Sequence, residues 1–238
     1  MTRVELDPFV RQRALAGLGD AGQLALADAR VAIVGVGGLG CPAALYLAAA
    51  GVGSLTLIDS DSVSVTNLHR QILFGPSDVG EKKVEAAAAR LAISAPWTAV
   101  AAIDTRVSAH DAPTVLGGHD VILDCTDTWS SRYAVADAAA GLETPLVWGA
   151  VQGWFGQVCV FGGGATLRDV FPVQPPPQLD QCDAGGVFGP LCGQVGTAMA
   201  AQAVVLLADA GRSLRGRMSV LDARDGEWRT LPIGAANA

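Results

Sequence analysis

The sequence predicts an α/β fold, a Rossmann-like mixed sheet with a parallel N-terminal half, an antiparallel C-terminal half and helices on both faces. Three observations carry that expectation. Apolar runs of strand length alternate with helical segments as far as residue 151, the signature of a parallel sheet covered on both sides. The first run, VAIVGV (31–36), leads through a glycine-rich turn into a helical segment. The alternation then stops. GQVCVFG (156–162) follows PLVWGAV (145–151) across a tight Gln-Gly-Trp turn, and RMSVLDA and EWRTLPI are joined by Arg-Asp-Gly, both hairpin signals.

Taken in order, residues 7–28 read as an amphipathic helical arm, with 1–28 set apart from the sheet. A strand (31–36), a helix (39–51) and a second strand (54–61) follow. The segment 81–94 reads as a helix with Lys82 and Lys83 in its first turn. Strands at 98–105 and 120–127 flank a short helix, and a helix at 130–142 precedes the strand at 145–151. The run FPVQPPPQLDQCDAGGVFG (171–189) is rich in Pro and Gly and reads as an irregular crossover loop. The next segment, 187–211, is long and apolar enough to consider as a membrane span. Pro190, Gln194, Gln202 and the lack of preceding Lys or Arg favour a buried or interfacial helix instead, so no membrane partner is expected. No repeat or flexible linker interrupts the chain, which predicts a single domain over 1–238.

Composition narrows the function. The formal charge of −7 disfavours nucleic acid as a partner, while leaving room for a local basic pocket. The N-terminus MTRVELDPFVRQR is charged and has no apolar core of a signal peptide, and a cytoplasmic location is expected. The five cysteines, Cys41, Cys125, Cys159, Cys182 and Cys192, form no C-x-x-C pair and read as reduced thiols, most of them core-filling.

The chemistry gathers around G-V-G-G-L-G (35–40). Gly35 permits the tight turn, Gly37 lets a phosphate approach the backbone, Gly40 lets the helix pack on the strand, and Gly38 completes the loop. The helix N-terminus supplies amide donors and a partial positive charge. Asp59 ends the second strand, placed to accept hydrogen bonds from ribose hydroxyls. This much indicates an adenine nucleotide and does not separate NAD from ATP. The charges that follow do. Asn67, Arg70, Gln71 and Lys83 fall where the first half of the sheet meets the pocket, and Asp127 tops the fourth strand, where a carboxylate beside a triphosphate is a natural magnesium ligand. A hydride-transfer site has no need of these cations. Taken singly, Arg70 or Lys83 would read as a solvated surface charge, Asp127 as a helix cap, Asp61 as a cap or turn residue beside the site, and His69 as a bystander. Their order after the glycine loop is what points to a triphosphate.

Together these pieces resemble the bacterial adenylyltransferases that activate ubiquitin-like sulfur carriers in molybdopterin and thiamine synthesis, relatives of the ubiquitin-activating enzymes. The resemblance rests on G-V-G-G-L-G (35–40), the A-G-V-G-x-L-x-L-I-D run (50–59), N-L-H-R-Q (67–71), V-G-E-K-K-V-E (79–85), D-C-T-D (124–127) and C-D-A-G-G-V-F-G-P-L (182–191). It implies ATP and Mg²⁺ held by Gly37, Asp59, Asn67, Arg70, Gln71, Lys83 and Asp127, with Asp61 beside them. It implies a homodimer in which an arginine of one N-terminal segment reaches the other subunit's site; Arg11 in F-V-R-Q (9–12) is the candidate and Arg13 the fallback. The expected reaction is adenylation of the C-terminal glycine carboxylate of a small carrier ending in Gly-Gly, releasing pyrophosphate and preparing a thiocarboxylate. Cys182 occupies a crossover position where some members carry a cysteine linked to sulfur transfer or carrier capture; a loop residue of no chemical consequence is the alternative.

The sequence also departs from that family. Many members hold a structural zinc with two C-x-x-C pairs, but Thr166 and Asp169 stand at the first pair's places and the chain ends LPIGAANA at the second, so no zinc is expected. Thr128 replaces a frequent Asn in D-x-T-D-N. No rhodanese-like domain follows, so a separate sulfur donor is expected. Two other functions stay open at this point: an NAD-dependent oxidoreductase, and adenylation of a peptide C-terminus in secondary metabolism.

Overall fold

The computed structural model describes residues 7–174 and 186–233. In chain order the elements are α1 (Val10–Arg13), α2 (Gly19–Asp28), β1 (Arg30–Val34), α3 (Gly40–Ala49), β2 (Ser54–Asp59), α4 (Lys83–Ser94), β3 (Ala99–Asp104), α5 (Ala112–Leu116), β4 (Val121–Asp124), α6 (Trp129–Gly141), β5 (Leu146–Gln152), β6 (Phe155–Phe161), α7 (Leu167–Val170), α8 (Gly189–Leu207), β7 (Arg217–Asp222) and β8 (Glu227–Pro232). All eight strands form one sheet in the order β3-β2-β1-β4-β5-β6-β7-β8. The pairs from β3 to β5 are parallel and those from β5 to β8 antiparallel, so both halves of the expected sheet are present.

Local chemistry explains the elements. The buried strands β1 and β4 carry the continuous apolar runs Val31–Val34 and Val121–Leu123, as a sheet covered on both faces requires. Pro42 and Pro190 lie in the first turns of α3 and α8, where a missing N–H costs no helical bond. The β5–β6 hairpin closes at Gln152 opposite Phe155, across Gly153 and Trp154. One core packs α2, α3, α4 and α8 on one face of the sheet, and a second packs α5, α6 and α7 on the other. Helix α8, the segment long enough to be weighed as a membrane span, buries Leu191, Cys192, Val195, Met199, Ala200 and Ala203 against α3 and the sheet.

The N-terminal arm differs from expectation. Instead of one amphipathic helix over 7–28 there are two, interrupted at residues 14–18. The first is docked rather than loose. Phe9 meets Trp97 edge-on, with ring centroids 5.3 Å apart. Gln12 Nε2 and Gln23 Nε2 both donate to the Ala50 carbonyl, at 2.8 and 3.0 Å, satisfying an oxygen that the end of α3 leaves open.

Strand order reverses between β1 and β4: the chain leaves β1 toward β2 and β3, then returns to β4 on the other side. In open parallel sheets the crevice at such a reversal, beyond the strands' carboxyl ends, is where ligands bind. The opposite edge is closed by direct backbone contact. A Cβ on Gly53 would stand 1.9 Å from the Ala27 carbonyl oxygen, so the start of β2 is wedged against the end of α2. Gly53→Ala is expected to destabilise the protein by about 1–3 kcal/mol through this overpacking, leaving nucleotide affinity unchanged because the crevice lies at the far end of the strands. Thermal unfolding with and without nucleotide checks both halves of that statement.

Candidate active site

A cleft opens at the carboxyl ends of β1, β2 and β4. Its floor is the glycine loop between β1 and α3. Gly35 turns with φ of +90°, and a Cβ there would meet the Cys125 carbonyl at 2.8 Å. A Cβ on Gly40 would stand 2.0 Å from the Gly35 oxygen, so the loop closes on itself with no room for a side chain. Gly40 therefore shapes the cleft from behind and does not line it. Gly37 faces the opening. Gly38 has a second duty: a Cβ there would touch Cys192 Sγ at 3.0 Å, so it also admits α8.

Asp59 ties the loop to β2. Its Oδ2 accepts from the Val36 N–H at 2.7 Å, and its Oδ1 from the Asp61 N–H at 2.9 Å. Burial pushes its carboxyl up from the ordinary range, against the pull of the Lys83 charge and the two backbone donors. A carboxylate oxygen accepts more than one hydrogen bond, so both oxygens retain capacity for hydroxyl donors.

The predicted cations converge. Arg70 lines the cleft, half-buried, with Nη1 donating to the Thr66 carbonyl at 3.2 Å. Gln71 is buried beside Gly37, and its Oε1 has no donor among the described residues. Lys83 opens α4, is 5% exposed, and donates from Nζ to Asp61 Oδ2 at 2.7 Å. Asp61 is thus the counter-ion of Lys83 as well as part of the wall. A buried lysine needs such a partner, and this one is displaceable because Asp61 itself faces solvent.

Asp127 is exposed at the mouth and makes no hydrogen bond among the described residues. It does not cap α6. Thr128 takes that role, its Oγ1 accepting from the Ser131 N–H at 3.4 Å and donating to Ser131 Oγ at 2.9 Å. The departure from Asn to Thr at this position preserves a cap and leaves the Asp127 carboxylate unspent.

Other predicted residues stand elsewhere. Asn67 ends a single 3₁₀ turn; its carbonyl accepts from the Arg70 and Gln71 N–H groups at 3.0 Å each, and its side chain does not line the cleft. It shapes the N-L-H-R-Q segment through the backbone. Arg11 is exposed on α1, docked at the far end of α3. That helix runs ten residues, about 15 Å, from the glycine loop, so Arg11 does not reach its own cleft. Arg13 is held by Asp7 and Asp20. Cys182 lies outside the described residues; the other four cysteines are buried. At the position of the first C-x-x-C pair, Thr166 and Asp169 form a capping box for α7, with the Thr166 N–H and Oγ1 donating to Asp169 Oδ2 at 2.7 and 2.8 Å.

Sequence reasoning missed Arg132, Asp124, Thr126 and Ser131, all in or just after D-C-T-D. Asp124 is fully buried and accepts from the Thr126 N–H at 3.0 Å and Oγ1 at 2.7 Å. Burial pushes its carboxyl up, and the Thr126 hydroxyl and the Arg132 charge pull it down. Arg132 lies in the first turns of α6, 8% exposed, with Nε donating to the Thr126 carbonyl at 3.2 Å. The signal available for it was a lone cation in an Ala- and Val-rich helix whose N-terminus follows the switch-point strand.

The family model described as the ThiF family matches residues 9–238. A sulfur carrier protein adenylyltransferase of Thermus thermophilus is 40% identical over 240 residues, covering 98% of this chain and 89% of its own. Probable adenylyltransferase/sulfurtransferase MoeZ of Mycobacterium tuberculosis is 38% identical over 98% of this chain, which spans 61% of MoeZ. Adenylyltransferase and sulfurtransferase MOCS3 of Drosophila sechellia is 39% identical over 98% of this chain, which spans 52% of that protein. Among solved structures, E. coli MccB with succinimide superposes with a TM-score of 0.84 at 19% identity, over 99% of this chain and 73% of MccB. PaaA superposes with a TM-score of 0.76 at 22% identity, over 90% of this chain and 67% of PaaA. The structural likenesses bear on the fold, and the sequence matches, running from residue 9 to the last residue, carry the conclusion: the chain belongs to the ThiF family.

Proposed function

We propose that this protein is an adenylyltransferase that uses ATP to activate the C-terminal glycine carboxylate of a small ubiquitin-like sulfur-carrier protein ending in Gly-Gly. The observation that supports it is the grouping of Arg70, Lys83 and Asp127 about a glycine loop already tied down by Asp59. Such a cleft suits a polyanion better than a nicotinamide ring, which gives the oxidoreductase alternative no support. The adenine nucleotide would lie over Gly35, Gly37 and Gly38, its ribose hydroxyls donating to Asp59 and its phosphates accepting from Arg70, Lys83 and the Gln71 Nε2 group beside Gly37.

The reaction follows from these placements. A carboxylate oxygen of the carrier attacks the α-phosphorus, the bond to the bridging oxygen of the β-phosphate breaks, and pyrophosphate leaves. No general base is needed, because a terminal carboxyl with a pKa of about 3.3–3.7 is already ionised at neutral pH. The barrier is an anion approaching a polyanion, and fixed cations that meet charge as it develops lower it. Lys83 reaches phosphate by exchanging Asp61 for a stronger anion. Asp127 fits a Mg²⁺ ligand: a hard oxygen donor, not spent on capping, at the mouth of the cleft. Bound there, Mg²⁺ would screen the phosphate charges. Among the described residues no three His, Cys, Asp or Glu side chains converge. That suits an ion completed by substrate phosphates rather than by an all-protein cage.

In the proposed homodimer, Arg11 of the partner subunit adds a cation that a single chain cannot bring to its own cleft. A sulfide-level sulfur nucleophile from a separate donor would then attack the acyl carbon of the product acyl-adenylate and expel AMP, leaving the thiocarboxylate. Cys182 is proposed as a participant in that transfer.

ATP–pyrophosphate exchange against a panel of purified Gly-Gly carriers tests the function. Exchange with at least one carrier is expected; none, with folded protein, refutes the reading. Free peptides in the same assay test the alternative of peptide adenylation. Arg70→Ala and Asp127→Ala are each expected to lower the exchange rate by about 100-fold or more, the scale of losing one preorganised charge in a water-poor site. Full activity in both variants would displace the site.

A further inference from the structure

Asp124 is fully buried, and both of its hydrogen bonds, from the Thr126 N–H at 3.0 Å and the Thr126 Oγ1 at 2.7 Å, go to Oδ1. Its Oδ2 has no donor among the described residues. A neutral asparagine would accept the same two bonds, so they do not account for a carboxylate at this position. An ionised group in the interior persists beside a compensating charge, and the cation that the Asp124 carboxyl feels is Arg132.

The two charges are held in one layer. Asp124 and Trp148 stand opposite each other across the parallel β4–β5 pair, so their side chains share one face of the sheet. Arg132, 8% exposed on α6, covers that face. Its guanidinium lies 5.6 Å from the Trp148 ring and 4.9 Å from the Trp129 ring, and its Nε donates to the Thr126 carbonyl at 3.2 Å. Thr126 therefore takes Arg132 on its carbonyl and gives both of its donors to Asp124.

A second carboxylate is next in the chain. Asp127 follows Thr126 and lines the same cleft as Arg132. Among the described residues the two form no ion pair, and Arg132 stays turned toward the sheet. An uncompensated guanidinium beside an exposed carboxylate would close on it, and the carboxylate would then be spent.

We propose that Asp124 is a positioning residue for the metal ligand: its charge holds Arg132 against the sheet, so that the Asp127 carboxylate stays open to the Mg²⁺ of a bound nucleotide. The proposal rests on the nucleotide site of the adenylation reading given above. Without the Asp124 charge, Mg²⁺ has to displace a guanidinium from Asp127 and settle beside an unbalanced cation.

The test is the affinity of the full chain for ATP, measured by calorimetry at graded Mg²⁺ and again in EDTA. In Asp124→Asn the Mg²⁺ concentration that gives half of the tightening is expected to rise about tenfold, while affinity for metal-free ATP does not fall. The double variant Asp124→Asn, Arg132→Gln carries neither charge and is expected to return to within about threefold of the wild type. Arg132→Lys keeps the cation on a flexible stem without the Nε bond, free to reach Asp127, and is expected to shift the Mg²⁺ midpoint upward as well. Should Asp124→Asn fail to fold, Arg132→Lys decides. An unmoved midpoint in the folded variants overturns the proposal. So does an equal loss of affinity with and without metal, the mark of a structural role alone, and so does wild-type binding that is indifferent to Mg²⁺. If exchange fails with every carrier while the midpoint shifts as expected, adenylation falls and the role of Asp124 stands.

Discussion

The site depends on one short hydrogen bond, from the Val36 N–H to Asp59 Oδ2 at 2.7 Å. It joins the turn that leaves β1 to the end of β2, and the other oxygen of the same carboxylate holds the Asp61 N–H. The glycine loop is thereby fixed in the one shape that lets Gly40 lie against Gly35 and α3 point its N-terminus at the crevice. Asp61, positioned by the same carboxylate, meets Lys83 across the cleft. The floor, the ribose-facing acid and one cation are therefore arranged together by a single side chain.

Charge is the second constraint. In a chain with a formal charge of −7 the cleft gathers Arg70, Lys83, Arg106 and Arg132 among its carboxylates, and the two buried cations, Lys83 and Arg132, are kept in different ways. Lys83 has a solvent-facing carboxylate it can exchange. Arg132 has aromatic faces, one carbonyl and the charge of the buried Asp124 beside it. In the proposed reaction the first suits a phosphate that arrives with ATP. Asp127 lines the same cleft and is not spent on the helix cap, which Thr128 supplies.

Much of this was legible in the sequence. The parallel half of the sheet follows from apolar runs alternating with helical ones, and the antiparallel half from two tight turns, because both patterns are local. Gly35, Gly37, Asp59, Arg70, Gln71, Lys83 and Asp127 could be placed because strand–turn–helix order fixes which residues face the crevice. What was not legible depends on partners distant in sequence or on backbone roles. The pairing of Lys83 with Asp61 spans β2 and α4. Asn67 carries a motif position yet acts through its carbonyl. Arg132 lies against Trp148, from the next strand, a contact that no local pattern announces. The long apolar stretch at 187–211 was ambiguous from hydropathy alone, and only its contacts with α3 and the sheet place α8 in the core. The capping box of Thr166 and Asp169 needed three dimensions to recognise at the position of the first C-x-x-C pair.

The most direct check on Asp59 as both anchor and ribose acceptor is the dissociation constant of the folded protein for ATP against that for 2′,3′-dideoxy-ATP. Loss of hydroxyl donors to a partly buried carboxylate predicts binding weaker by about 10- to 100-fold for the dideoxy nucleotide. Equal affinities would contradict the placement of the ribose on Asp59, and with it the orientation of the nucleotide in the cleft.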